Sequence, residues 1–163
     1  KNQVFFRGDT VMLKGLIHSG LSTKDLNGSI DFYEKAFGFE VIFKEENIKE
    51  EIESITGLTN QKCSLAQLSI EGSGHIIELL QFHGQETQQD NKISAPIRPG
   101  QGHIAFNVTD FDNWVDKLTK LEAKILGKIT HFPEGKAAYF IEPSGTFFEI
   151  SEAKFPEKKN ETD

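Results

Sequence analysis

The sequence contains one phrase twice, and this repeat limits the folds that the chain can adopt. "HSGLSTKDLNGSIDFYEKAFGFEV" begins at His18, and "HIAFNVTDFDNWVDKLTKLEAKI" begins at His103, about 85 residues later. In each copy a histidine opens a strand-like run, an aspartate follows seven residues on, and an amphipathic helical pattern starts after that aspartate. Because each copy reads as one supersecondary unit, we expect two structurally related modules.

The first module is predicted to contain a strand, a helix and three further strands. Asp25 is expected to cap the helix and Gly38 to end it. "FEVIFK", "CSLAQLSI" and "HIIELLQF" alternate in the manner of strands, and a turn at Gly72–Gly74 joins the last two. We also expect a short surface helix between the first two of these strands, with three isoleucines on one face: Ile48, Ile52 and Ile55.

The second module repeats this order. "GHIAFNV" predicts a strand, and a helix follows whose apolar face comprises Phe111, Trp114, Val115, Leu118 and Leu121. "KILGKIT", "AAYFIE" and "TFFEISE" predict three strands, and "EPSG", from Glu142 to Gly145, is typical of a turn. The predicted class is α+β: two βαβββ modules that pair into a curved, cup-shaped mixed sheet with the helices outside.

These patterns predict a single domain over residues 12–152. Module one takes 12–82, a polar linker 83–101, and module two 102–152, with tails at 1–11 and 153–163. The linker is rich in glutamine and holds two prolines. Because Met12 is the only methionine, we expect the native chain to start there.

Composition argues against several classes of function. The 163 residues include 14 Phe and carry a net charge of -7 without a cluster of Lys or Arg, which argues against nucleic-acid or anionic-membrane partners. The single cysteine, Cys63, excludes an internal disulfide and a cysteine-based zinc site. No apolar run approaches the roughly 18 residues that span a bilayer, and we expect a cytoplasmic protein.

Superposing the two copies pairs residues that could bind a metal. His18 matches His103, and Glu78 in "HIIELLQF" matches Glu149 in "TFFEISE". Two imidazoles and two carboxylates suit zinc, nickel, cobalt, iron or manganese, and leave room for substrate oxygens. Such an ion polarises a carbonyl, and a carboxylate beside it can remove the adjacent proton. The alternative is that each glutamate lies on a solvent face and each histidine is simply hydrogen-bonded.

The remaining candidate residues have no counterpart in the repeat. We expect His75, His83 and His131 to lie on the surface. Cys63 is expected to be a core or half-buried thiol, and Tyr139 is expected to be core rather than pocket wall.

Three stretches resemble the vicinal oxygen chelate superfamily: "HSGLSTKDLNGSIDFYEKAFGFEVI", "GHIAFNVTDFD" and "FIEPSGTFFEISE". That superfamily holds glyoxalase I, methylmalonyl-CoA epimerase, fosfomycin-resistance enzymes, extradiol dioxygenases and bleomycin-binding proteins. The resemblance spans roughly 16–152, although Glu142 stands where the family's turn has aspartate. It implies that His18, Glu78, His103 and Glu149 bind the metal, with Glu149 as catalytic base and Glu78 as the alternate base.

The resemblance also implies a function. The set His, Glu, His, Glu is similar to that of bacterial glyoxalase I, so the implied activity is a divalent-metal-dependent lyase or isomerase. It would abstract a proton next to a metal-bound carbonyl of a small molecule, through an enediolate, with nickel, cobalt or zinc favoured over iron or manganese. An epimerase-like enzyme, an iron dioxygenase and a metal-free binding or resistance protein are the alternatives. We expect a homodimer, and the long linker predicts that both halves of a site come from one chain.

Overall fold

A computed structural model describes residues 15–84, 95–97 and 99–153. In the first module the elements are β1 (His18–Ser22), α1 (Leu26–Phe37), β2 (Glu40–Ile48), α2 (Glu50–Thr56), β3 (Lys62–Ser69) and β4 (Ile76–His83). In the second they are β5 (Ile104–Asn107), α3 (Phe111–Lys120), β6 (Lys124–Ile125), β7 (Thr130–Phe132), β8 (Gly135–Ile141) and β9 (Phe147–Ala153). Met12, the tails and most of the predicted linker lie outside the described residues.

Each module forms its own mixed sheet. The strand order is β1-β4-β3-β2 in the first sheet and β5-β9-β8-β6 in the second, where β7 also pairs with β8. The opening strand of each module runs parallel to its last strand, and the other pairs are antiparallel. The α+β class and the two related modules are therefore confirmed, and in the second module β6 and β7 take the place of one predicted strand.

The two sheets of the chain stack through their helix-covered faces. One hydrophobic cluster joins both sheets, and the rings of Phe32 in α1 and Phe148 in β9 lie 5.6 Å apart between their centroids. Phe37 stacks on Phe106 of β5 at 4.1 Å and on Trp114 of α3 at 5.4 Å. Helices α1 and α3 thus lie between the two sheets of one chain, and the described strands form two separate sheets rather than one continuous cup. Burial of the aromatic side chains on these faces drives this arrangement.

A buried polar network also joins the modules. The Glu142 carboxylate is 2% exposed and accepts hydrogen bonds from Ser29 Oγ at 2.8 Å and from the Thr146 amide at 3.0 Å. The Ser144 amide donates to its second oxygen. Tyr33 and Thr146 share a hydroxyl contact of 2.8 Å across the same boundary. Because every oxygen of this carboxylate is satisfied, the departure from aspartate at this turn is tolerated in the core.

Some details differ from the sequence patterns. Ile48 ends β2 instead of lying on α2, and Ile55 on α2 is 83% exposed, so only Ile52 of the predicted face is buried. The stretch "KILGKIT" is not one strand, because Gly127 adopts a φ of 100° between β6 and β7. Among the described residues, no helix is both long and apolar enough to cross a membrane.

Candidate metal centre

The first candidate half-site lies on the face of its sheet that the helices do not cover. Gly20 pairs with Glu78, and His18 precedes Gly20 by two residues, so all three lie on one face. His18 Nε2 lies 3.3 Å from Glu78 Oε2. The neighbours of Glu78 on β4, Ile77 and Leu79, are buried against the helices. Alternation along β4 therefore sends the glutamate to the opposite face, where its side chain is 14% exposed.

The second half-site reproduces this register. Ala105 pairs with Glu149, and His103 precedes Ala105 by two residues. His103 Nε2 lies 3.4 Å from Glu149 Oε2, and the flanking residues Phe148 and Ile150 are fully buried. The two modules therefore present equivalent His–Glu pairs on equivalent faces.

The spacing of each pair suits a shared ion. Two donors that each lie about 2.1 Å from one metal ion are about 3.0–3.4 Å apart at angles between square and tetrahedral. The Nε2–Oε2 distances of 3.3 and 3.4 Å fall within this range. A neutral imidazole and a carboxylate are suitable ligands for borderline divalent ions. Each pair thus fits two ligand positions of such an ion, with the other positions still to be filled.

The four predicted ligands do not come together within one chain. Among residues 15–84, 95–97 and 99–153, no group of three or more His, Cys, Asp or Glu side chains could hold a metal ion. His18 meets Glu78, and His103 meets Glu149, but the two pairs are separate. This differs from the expectation that one chain closes the site. The physical reason is that the modules stack through their helix-covered faces and leave both pairs on outward faces.

Two neighbours of the pairs were not assigned to the site by the sequence analysis: Gln67 was missed, and Tyr139 was expected in the core. Gln67 on β3 lies opposite Glu78 and donates a hydrogen bond from Nε2 to Glu78 Oε1 at 2.9 Å. Tyr139 on β8 lies opposite Glu149, and its ring centroid is 4.5 Å from that of His103. Tyr139 is 39% exposed, so the expectation that it belongs to the core is wrong. The only available signal was its place in the repeat, on the strand next to a glutamate.

A cavity adjoins the second half-site. It has a volume of about 280 Å³, and Glu149 and Tyr139 form part of its wall together with Leu126, Lys128, Thr130, Phe132, Ala137 and Ala138. The lining combines apolar side chains with the hydroxyl of Thr130, the amine of Lys128 and the carboxylate of Glu149. A small molecule bound here would lie beside that carboxylate.

The other histidines and the cysteine are not part of the two His–Glu pairs. His131 and His83 are exposed as predicted, and His83 Nε2 contacts Ser64 Oγ at 2.9 Å. His75 is half-buried rather than fully on the surface, and its Nε2 lies 3.0 Å from Ser19 Oγ. Cys63 is fully buried, and this burial raises the pKa of its thiol to about 11. A thiol with that pKa is protonated at neutral pH and is not an activated nucleophile.

A relative by sequence and several solved structures are similar to this chain. The Bacillus subtilis (strain 168) protein YwbC, itself uncharacterized, is 31% identical over 142 residues, which cover 85% of this chain and 98% of YwbC. A glyoxalase family protein from Bacillus cereus superposes with a TM-score of 0.76 at 21% identity, over 93% of this chain and 100% of the other.

Two further neighbours have more explicit descriptions. A mutant of the Listeria monocytogenes fosfomycin resistance protein FosX, in complex with Mn(II) and 1S,2S-dihydroxypropylphosphonic acid, gives a TM-score of 0.59 at 20% identity, covering 88% of this chain and 94% of that one. The trypanothione-dependent glyoxalase I of Leishmania major gives 0.59 at 20% identity, covering 85% and 86%. At these identities the structural likeness concerns the fold.

The sequence match to a family extends over nearly the whole described chain. The sequence model of the Glyoxalase/Bleomycin resistance protein/Dioxygenase superfamily matches residues 15–150, a range that includes both His–Glu pairs. Together with the two βαβββ modules, this match shows that the chain belongs to the Glyoxalase/Bleomycin resistance protein/Dioxygenase superfamily.

Proposed function

We propose that this protein is a divalent-metal-dependent lyase or isomerase of the glyoxalase I type, acting in the cytoplasm on a small carbonyl compound. The observation that carries the proposal is the identical register of the two His–Glu pairs, His18 with Glu78 and His103 with Glu149. The Glu78 and Glu149 side chains are only 14% and 21% exposed, and a partly buried carboxylate is costly unless a partner compensates its charge. Two matched pairs of metal-ligand type are more simply explained by a shared ion than by chance.

The four side chains would hold the ion, with His18 and His103 as nitrogen ligands and Glu78 and Glu149 as oxygen ligands. When bound, a divalent ion polarises a substrate carbonyl and so lowers the pKa of the C–H group next to that carbonyl. We favour nickel, cobalt or zinc, because mixed imidazole and carboxylate ligands suit these ions.

Glu149 would act as the general base. Its carboxylate borders the cavity and would accept the proton from the carbon next to the carbonyl. In an isomerisation, the same carboxylate would return that proton to the adjacent carbon, so atoms and charges balance. The apolar side chains of Leu126 and Phe132 form part of the same wall and would contact the carbon skeleton of the substrate.

We further propose that two copies of the chain complete each site. Both pairs lie next to sheet edges, because β1 and β5 end their sheets and, among the described strands, neither has a partner on its outer side. A homodimer in which β1 of one copy approaches β5 of the other would bring the pairs together. This arrangement replaces the expectation of a site within one chain. The two modules of one chain pack through their helix-covered faces, so their His–Glu pairs cannot meet each other.

Mixing two inactive variants tests this assembly. His18→Ala and His103→Ala each remove a ligand from every site of a homodimer. In a mixed dimer, one site collects both substitutions and the other collects none. We expect mixed dimers, refolded together and isolated by two affinity tags, to bind one metal ion per dimer, measured by elemental analysis.

Binding of no ion by the mixed dimers would contradict a shared site. For the reaction, the metallated parent protein is assayed with methylglyoxal plus glutathione and with methylmalonyl-CoA. An iron content with oxygen-dependent turnover would favour the dioxygenase alternative instead, and a parent protein that binds no metal would favour a binding module.

A further inference from the structure

The two half-sites are not identical, and the difference lies on the strand beside each glutamate. In module one, Gln67 of β3 is in direct register with Glu78. In module two, Tyr139 of β8 is in direct register with Glu149. Gln67 and Tyr139 therefore occupy equivalent positions, but their side chains differ in chemistry and length.

Gln67 restrains Glu78. Its amide donates from Nε2 to Glu78 Oε1 at 2.9 Å, while Glu78 Oε2 faces His18 Nε2 at 3.3 Å. Both oxygens of this carboxylate are thus engaged, one by the amide and one at the candidate ligand position. A carboxylate held at both oxygens has one preferred rotamer. Rotating the Glu78 side chain would break its partly buried hydrogen bond with Gln67.

Tyr139 does not restrain Glu149 in this way. Its ring packs against the His103 ring at 4.5 Å, with an angle of 59° between the ring planes. Within the part of the chain that the structure describes, Glu149 has His103 as its polar side-chain contact, at 3.4 Å. One oxygen of Glu149 is therefore left without a hydrogen-bond donor from this part of the chain, and the side chain borders the cavity.

We infer that Gln67 is a positioning residue that fixes Glu78 as the rigid carboxylate ligand, which leaves Glu149 as the carboxylate that can turn toward substrate. The inference rests on the proposed function, since it assigns unequal roles within the same site. Outer groups that hydrogen-bond a metal ligand orient it and raise metal affinity. The Gln67 amide can orient Glu78 without adding charge. The Tyr139 ring packs on His103 instead and leaves the Glu149 side chain free to rotate.

Matched substitutions at the two equivalent positions test the inference with Co²⁺ as the probe. Gln67→Met keeps the length of the side chain and removes the amide. We expect it to weaken Co²⁺ binding by about 10–100-fold, the range that outer-sphere changes produce. Tyr139→Phe keeps the ring and removes the hydroxyl, and Co²⁺ affinity should change by less than about threefold. Competition with a chelator measures the affinities, and the Co²⁺ absorption spectrum should shift in the Gln67 variant alone.

A third variant tests the opposite direction. Tyr139→Gln places an amide beside Glu149, where it can hold the carboxylate as Gln67 holds Glu78. At saturating Co²⁺ we expect kcat to fall by about tenfold or more, while Tyr139→Met, which loses the same ring but offers no donor, keeps more of kcat. Thermal unfolding of each variant without metal controls for loss of structure, and the midpoints should stay close to the parent's.

The outcomes separate this inference from the proposed function. If the parent binds Co²⁺ and Gln67→Met binds it within threefold as tightly, the positioning role is wrong and the metal centre stands. If Gln67→Met and Tyr139→Phe lose affinity equally, the assigned asymmetry is wrong. A parent protein that binds no Co²⁺ overturns the inference together with the proposed function.

Discussion

The two copies of the repeated phrase share a topology but differ at the start of their helices. In module one, the Asp25 side chain accepts a hydrogen bond from the Gly28 amide at 3.1 Å and caps α1. In module two, Asp110 has a φ of 59° and a ψ of 58°, in the left-handed region, and gives α3 no side-chain cap. The same residue at the same place in the repeat therefore has different local roles.

The turns before the last strands differ as well. Glu71 lies in the exposed turn between β3 and β4, whereas Glu142 in the turn between β8 and β9 is buried and bonded to Ser29 of α1. In contrast, the His–Glu registers agree residue for residue, with contacts of 3.3 and 3.4 Å. The two modules therefore differ in their caps and turns but agree in their His–Glu pairs. This is expected if the two pairs bind the same ion.

The strongest test of this equivalence removes the two histidines one at a time. His18→Ala and His103→Ala should each weaken divalent-metal binding by more than about 100-fold, beyond the effect of outer-sphere changes. Each change removes one nitrogen ligand, so the losses should be alike. Chelator competition on the two purified variants measures them. If one variant retains the parent's affinity, its module contributes no ligand and the equivalence fails.

A second pair of variants tests whether the two glutamates have different roles in catalysis. Glu149→Gln keeps the shape but loses the proton acceptor, and turnover should fall by roughly 100-fold or more. Glu78→Gln should weaken metal binding but reduce turnover less once metal is saturating. Metal content and rate are measured together for both variants. If fully metallated Glu149→Gln turns over near the parent rate, the base has been assigned wrongly.

The two turns offer a comparison of stability. Glu142→Ala leaves the backbone amides of Ser144 and Thr146 without their acceptor in the core and removes the bond to Ser29, so it should lower the free energy of unfolding by about 2–4 kcal/mol. Glu71→Ala, the control in the exposed turn, should change it little. Denaturant unfolding of both variants measures the difference. Equal effects would show that the buried carboxylate does not anchor the two modules.

The smallest effect concerns the helix starts, where one substitution should act with opposite signs. Asp25→Gly removes a capping carboxylate and should cost about 0.5 kcal/mol of stability. Asp110→Gly relieves a left-handed backbone conformation and loses only an exposed hydrogen bond from Asn113 Nδ2, so it should add about 0.5 kcal/mol. Changes in unfolding midpoint measured side by side are sensitive enough to compare them. A loss of stability in both variants would mean that Asp110 supports α3 in a way that its backbone angles conceal.

Local sequence patterns were enough to predict the two related modules, the family and the pairing of each histidine with a glutamate. These features depend on local periodicity and strand alternation, which are written in consecutive residues such as those around Glu78 and Glu149. Whether these four residues bind a metal stays a prediction. The cap at Asp25 and the C-terminal Gly38 of α1 were also predictable, because capping chemistry is local.

Which faces of the two sheets meet could not be predicted from the sequence and became clear from the fold. Alternation divides each strand into two faces, but it does not say that Phe32 will pack on Phe148 across the modules and keep the His–Glu pairs apart within one chain. Likewise, Tyr139 looks like a core residue until its strand is aligned with β9, where it lies beside His103 on the outward face. The physical reason is that stacking of sheets depends on contacts between residues far apart in the chain, which no local pattern encodes.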